Sequence, residues 1–276
     1  MRSIISQALL VTVLAGTVAA ADKATTSTPI RIDRRGGIAL DVRIDDGAPV
    51  RFILDTGSTR TVIADDLARA LGSTIVATSL LTSSGGAERR PVVRLSSVSV
   101  AEARADGVLA LVVPAGQLEA FGDGVRGLLG QDFLSAFSYT IDYRRRRLTW
   151  NAAPDCGAPD AVALVASEGR YVMVLKDDRG RALRLVPDTG ADATVLFHAV
   201  EPFEAAAGGA VLGGLAGERP AQRAIARRLR VGTTLLRDVP AVVVDRPEPD
   251  VDGLMPMHGF SSASFAAGGQ CLSVRR

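Results

Sequence analysis

Two Asp-Thr-Gly triplets, Asp55-Thr56-Gly57 and Asp188-Thr189-Gly190, stand 133 positions apart, each at the end of an apolar run (VRFIL and LRLVP). Downstream of each comes a Gly-rich segment, LLTSSGGAERRPVV or LGGLAGERPAQRA, and then an apolar segment with a central glycine, VRGLLGQDF or VDGLMPMHGF. Gly127 and Gly253 in those last segments are 126 positions apart, so order and spacing are both kept. Duplication of one unit is the simplest source of such a pattern, and it requires two similar lobes. The Pro- and Gly-containing stretch NAAPDCGAPDA reads as the joint between them. Residues 22–152 are therefore expected to form an N-terminal lobe and residues 153–276 a C-terminal one.

Short runs rich in Val, Ile, Leu and Thr, bounded by Gly, Pro or Asp, recur along both halves: GIALDVRID, PVVRLSSVSV, GVLALVV, FSYTIDY, RYVMVLKD and VPAVVVD. They predict a mainly β protein. Helices are few and short. The best is ADDLARALG, where Asp65 or Asp66 can cap, Leu67 and Leu71 share a face, and Gly72 ends the pattern.

Taken singly, each triplet is an ordinary turn. Taken together, an Asp at a strand end followed by a small hydroxyl residue and a glycine can project a carboxylate from a tight loop. Gly57 and Gly190 let two such loops approach back to back without a Cβ clash. Thr56 and Thr189 supply hydroxyls able to bond across a pseudo-twofold axis.

The formal net charge of +2, from 32 basic and 30 acidic residues, does not predict a nucleic-acid partner. Two His (His198, His258) and two Cys (Cys156, Cys271), far apart, offer no zinc, iron–sulfur or haem spacing, so no metal or cofactor is expected. The opening MRSIISQALLVTVLAGTVAAAD has a basic residue, an apolar run too short for a membrane span, and a small-residue end. Residues 1–21 are expected to be a secretory signal peptide, which places the mature chain in the periplasm or outside the cell without a stable membrane span. In that compartment Cys156 and Cys271 can pair and tie the two ends of the second lobe together. The arginines Arg144 to Arg147 read as a solvated turn.

The sequence resembles the aspartic peptidases, and more closely the retropepsin-like group in a bacterial single-chain, two-lobed form. The residues carrying the resemblance are ILDTGSTRTVI with ADDLARALG, GLLGQDFL, and LVPDTGADATVL with GLMPM. It implies a bilobal pepsin/retropepsin-like fold of two pseudo-twofold-related β-barrel lobes with few short helices. It also implies a monomeric endopeptidase acting on extended peptides, with Asp55 and Asp188 activating a water and Thr56, Gly57, Ser58, Thr189, Gly190 and Ala191 supporting them. Hairpin flaps would lie in residues 82–91 and 212–220, with Ser84, Gly85, Gly86, Gly213, Gly214 and Leu215 at or near their tips. Two adjacent carboxylates share a proton. Because Ser58 offers a hydroxyl to Asp55 and Ala191 offers none to Asp188, Asp188 is expected to hold that proton more often.

The second lobe departs from the pattern. Leu254-Met255-Pro256 replaces Leu128-Leu129-Gly130, and Pro187 directly precedes Asp188, each proline removing a backbone donor. These changes are expected to strain the placement of Asp188. The alternative function is a weak or inactive peptidase-like module that binds extended peptides between the lobes.

Overall fold

The computed structural model describes residues 25–83, 86–177, 179–246, 248 and 250–276. The leader expected over residues 1–21 and the tip residues Ser84 and Gly85 lie outside the described residues. The first half contributes β1 (Thr26–Pro29), β2 (Arg31–Ile32), β3 (Ile38–Ile44), β4 (Val50–Leu54), β5 (Val62–Ala64), β6 (Ile75–Ser83), β7 (Gly86–Val100), β8 (Ala103–Val113), β9 (Val125–Leu129), β10 (Tyr139–Asp142) and β11 (Arg147–Trp150). The second contributes β12 (Ala161–Ser167), β13 (Arg170–Lys176), β14 (Ala182–Asp188), β15 (Thr194–Leu196), β16 (Phe203–Gly214), β17 (Gly217–Val231), β18 (Thr234–Val243), β19 (Gly253–Pro256), β20 (Ser262–Phe265) and β21 (Cys271–Arg275). Among the described residues, helices are confined to α1 (Asp65–Ala70), α2 (Ala115–Leu118), α3 (Gln131–Leu134) and two single 3₁₀ turns. None is long and apolar enough to cross a membrane.

The two halves share one topology. In the first, β4 runs parallel to β9, β9 antiparallel to β5, and β5 parallel to β8, which continues through β7 to β6. In the second, β14, β19, β15, β18, β17 and β16 repeat those relations strand for strand. The crossing at the centre is tight, which explains the downstream glycines. A Cβ on Gly127 would lie 2.4 Å from the Val62 carbonyl oxygen, and one on Gly253 would lie 2.0 Å from that of Val195. In the first half β3 also pairs with β7, which closes the sheet on itself.

Beneath both lobes, strands from the two halves form one continuous layer in the order β1-β11-β10-β20-β21-β12. Its seam is the antiparallel pair β10–β20, where Tyr139 faces Phe265 with stacked rings 4.9 Å apart. Trp150, fully buried, packs against Phe133, Phe137 and Tyr139 over this layer. Large aromatic side chains at the seam bury much of the apolar area available in a chain with only 4% aromatics. A disulfide joins Cys156, ahead of β12, to Cys271 at the start of β21. Across a separation of 115 residues, such closure stabilises by about 4–5 kcal/mol in the chain-entropy account.

Local expectations fare unevenly. Helix α1 falls where the pattern placed it, but Ala64 occupies the cap position, and the Asp66 carboxylate accepts from the adjacent Leu67 N–H instead of capping. Asp65 is occupied elsewhere, accepting from the Ala115 N–H and from Arg69. Arg144 to Arg146 do lie in a turn, whereas Arg147 opens β11 and bonds Ser27 across to β1.

Candidate active site

Each triplet leaves its strand at the lobe interface, and the two loops interlock. The buried Thr56 hydroxyl donates to the Pro187 carbonyl at 2.6 Å and accepts from the Thr189 N–H at 3.0 Å. Thr189 answers in kind, donating to the Leu54 carbonyl at 2.7 Å and accepting from the Thr56 N–H at 3.0 Å. Four reciprocal bonds satisfy every polar group of both threonine side chains away from water. They hold the loops so closely that a Cβ on Gly57 would lie 2.4 Å from the Asp188 Cγ, and one on Gly190 2.9 Å from the Asp55 Cγ.

The carboxyls of Asp55 and Asp188 are consequently brought close enough to interact directly, each lying against the other loop's glycine. Each is also cradled by its own loop. Asp55 Oδ1 accepts from the N–H groups of Gly57 and Ser58, both at 3.0 Å, and Asp188 Oδ1 from those of Gly190 at 2.7 Å and Ala191 at 3.0 Å. Burial lifts Asp55 well above the usual carboxylate range, the neighbouring Asp188 charge lifts it further, and the Ser58 and Gly57 N–H groups only partly oppose this. Burial also raises Asp188, against the N–H groups of Gly190 and Ala191. Such a pair retains one proton at a pH where isolated aspartates have lost theirs.

The expected role of the Ser58 hydroxyl is not met. It donates to the Arg60 carbonyl at 2.8 Å, and Ser58 serves Asp55 through its backbone N–H, as Ala191 serves Asp188. Backbone geometry, which is shared by both loops, replaces side-chain identity, and the ground for placing the proton preferentially on Asp188 disappears. The two prolines do not displace the second loop either. The β13–β14 pairing ends at Leu185, so Pro187 withholds no donor from β13, and its carbonyl is the one that Thr56 needs. Pro256 pairs in register with Asp188, and the Met257 N–H reaches the Asp188 carbonyl at 3.3 Å.

The lobes differ in what props the loops. After β9, the Gln131 side-chain amide donates to the Thr56 carbonyl at 2.9 Å and its N–H to the Ser58 carbonyl at 2.9 Å. Asp132 accepts from the Thr61 N–H and hydroxyl, the latter at 2.7 Å. Burial raises the Asp132 carboxyl, with the Thr61 donors opposing. Met257 and His258 stand at the matching places in the second lobe, where no helix follows β19. There His258 instead packs against the turn after β2, its Cγ 2.3 Å from where a Gly36 Cβ would be. His198 pairs with Asp252 at 3.2 Å. Sequence reasoning did not single out Gln131 and Asp132 for this propping; the available signal was a polar pair directly after an apolar run in one half only.

Above the carboxyls, the β6–β7 and β16–β17 hairpins converge. The Ala216 N–H donates to the Ser83 hydroxyl at 3.0 Å, and Arg246 donates to the Ser83 carbonyl. Gly86 lies against the Ala216 carbonyl, 2.7 Å from where its Cβ would be. Leu215, 7% exposed, crosses into the apolar cluster of the first lobe beside Leu81, Leu111 and Leu128. Floor and hairpins border an open cavity of about 490 Å³ lined by both carboxyls and by Gly213, Gly214 and Leu215.

No curated protein matches the chain. Among solved structures, an aspartic proteinase from Irpex lacteus aligns over 91% of this chain and 97% of its own, with a TM-score of 0.57 and 12% identity. A retropepsin-like aspartic protease from Rickettsia conorii aligns over 46% of this chain and 91% of its own, with a TM-score of 0.34 and 20% identity. The first establishes the bilobal fold. Residues 40–133, which include the first triplet and the segment through Phe133, match the aspartyl protease family. That match lies in the first half of the chain, and the second half repeats the topology that carries it.

Proposed function

We propose that the protein is an aspartic endopeptidase in which Asp55 and Asp188 activate a water between them. The observation that carries this reading is the reciprocal Thr56–Thr189 interlock, which sets the half-buried Asp55 and the buried Asp188 side by side at the floor of an open cleft. The ionised carboxyl takes a proton from the water as its oxygen attacks the scissile carbonyl carbon, and the protonated carboxyl donates to the carbonyl oxygen. The resulting gem-diol collapses as the newly ionised carboxyl takes back one of its hydroxyl protons, the C–N bond breaks, and the leaving amine takes a proton from the other carboxyl, which restores the singly protonated pair. Thr56, Gly57, Ser58, Thr189, Gly190 and Ala191 hold the pair. The β6–β7 and β16–β17 hairpins act as flaps that part to admit an extended peptide.

Residues 22–152 and 153–276 are the two lobes, and the active unit is a monomer because one chain supplies both carboxyls. Residues 1–21 direct the chain to the periplasm or the exterior, a reading supported by the Cys156–Cys271 disulfide. The test is incubation of disulfide-bonded protein with a mixed peptide library under mildly acidic conditions, read by mass spectrometry. Internal cuts yielding paired fragments are expected. Peptides retained on the protein but uncut would instead favour a binding module.

A further inference from the structure

The two walls of the cavity are built differently although the lobes share a topology. Between β8 and β9 the first lobe inserts a helical segment, residues 114–124, which buries Leu118 and brings Phe121 to the cavity beside Leu111 and Leu128. The corresponding insertion between β18 and β19, residues 244–252, instead brings Arg246 and Glu248 there, with Arg170 from the start of β13 beside them. Arg170 pairs with Glu248 at 2.8 Å, and Arg246 lies 3.9 Å from the other oxygen of the same carboxylate. All three side chains are largely withdrawn from water, at 15%, 22% and 16% exposure for Arg170, Arg246 and Glu248.

Two guanidinium groups thus share one carboxylate, and among the described residues no second carboxylate pairs with either of them. The other charged residues lining the cavity, Arg60, Glu168, Asp192 and the floor pair Asp55 and Asp188, make no ion pair with either arginine among the described residues. Among the described residues, hydrogen bonds engage one N–H of each: Arg170 to Glu248, and Arg246 to the Ser83 carbonyl near the hairpin tip. Each planar fork therefore retains donors for a further acceptor, in a setting where a charge-assisted bond is stronger than in water.

From this asymmetry, and resting on the peptidase reading above, we infer that the cleft selects peptides carrying an acidic side chain on the second-lobe side of the cut and an apolar one on the first-lobe side. The acidic side chain supplies a second carboxylate to Arg170 and Arg246, and the apolar one fills the wall of Leu111, Phe121 and Leu128.

The test uses octapeptide sets differing only in Glu, Gln or Lys at one position at a time, measured for cleavage and, with the scissile amide replaced by an uncleavable reduced bond, for binding. At one position Glu is expected to exceed Gln by about tenfold in kcat/KM and in affinity. Arg246→Gln is expected to erase that ratio and Arg246→Lys to restore most of it, while Glu248→Gln, which removes the competing carboxylate, increases it. Opposite signs from two substitutions in one cluster cannot arise from misfolding alone. Equal treatment of Glu and Gln in both assays, a preference for Lys, or a Glu preference that survives Arg246→Gln and Arg170→Gln overturns the inference. If Glu peptides bind selectively but nothing is cut, the peptidase reading fails and the acidic subsite stands; if peptides are cut without discrimination, the reverse holds.

Discussion

Asp188→Asn and Asp55→Asn are each expected to lower kcat/KM for a cleaved peptide by about a thousandfold or more, because either change removes a proton donor and acceptor on which both halves of the reaction depend. The substitution is otherwise mild. An Asn Oδ1 at position 188 still accepts from the N–H groups of Gly190 and Ala191, the contacts that orient the side chain. Stability should move the other way. Both carboxyls are raised in the folded state from an ordinary value of 3.8, with burial the leading cause. A raised carboxyl favours folding below its unfolded pKa, and that contribution is lost as pH rises through the folded value. At neutral pH the wild-type pair therefore opposes folding, and replacing one member relieves it. Melting temperatures at neutral pH should equal or exceed the wild-type value. A large drop would mean that lost activity reports unfolding.

Gly57→Ala is expected to cost at least about a hundredfold in kcat/KM. The added methyl would sit 2.4 Å from the Asp188 Cγ and Oδ2, and it has no flexible chain end to push aside. Asp188 is short, 7% exposed and held by two N–H groups, so either its carboxyl rotates out of the pair or the two loops part. Parting the loops would break the threonine interlock, whose four bonds are all 3.0 Å or shorter. Gly116→Ala makes the control. It lies in α2 with no neighbour within 4 Å of the added atom, so its activity should be unchanged and its melting temperature should not fall. If Gly57→Ala cleaves as fast as the control, the close approach of the loops has no part in catalysis.

The repeat made most of the architecture legible. Duplicated triplets and matched downstream glycines point to two like units, and the strands fall where runs of Val, Ile and Leu lie between turn residues. Thr56 and Thr189 could be read as partners because their type and symmetry leave few other uses for two buried hydroxyls. Roles set by three-dimensional neighbours were harder to see. Ser58 looked like a donor to Asp55, but its hydroxyl finds a nearer acceptor in the Arg60 carbonyl, and the backbone does the work in both loops. Pro187 and Pro256 looked disruptive because a missing N–H matters only where a partner waits for it, and the strand order needed to find that partner is not local information. Arg170 and Arg246 are 76 positions apart and become neighbours only once the second lobe has closed, so nothing in their flanking residues marks them as a pair. The six-stranded layer beneath the lobes was equally hidden, since β10 and β20 belong to different halves.

The central claim is that one proton shared by Asp55 and Asp188 drives peptide cleavage. Its most direct test is the dependence of kcat/KM on pH for a single cleaved peptide, from about pH 3 to about pH 8. The account predicts a bell, rising as the doubly protonated pair loses its first proton and falling as the last one leaves, with the falling limb well above 3.8 because burial and the neighbouring charge raise the pair. A rate that climbs through neutrality, or that keeps the same profile in Asp55→Asn, would contradict it.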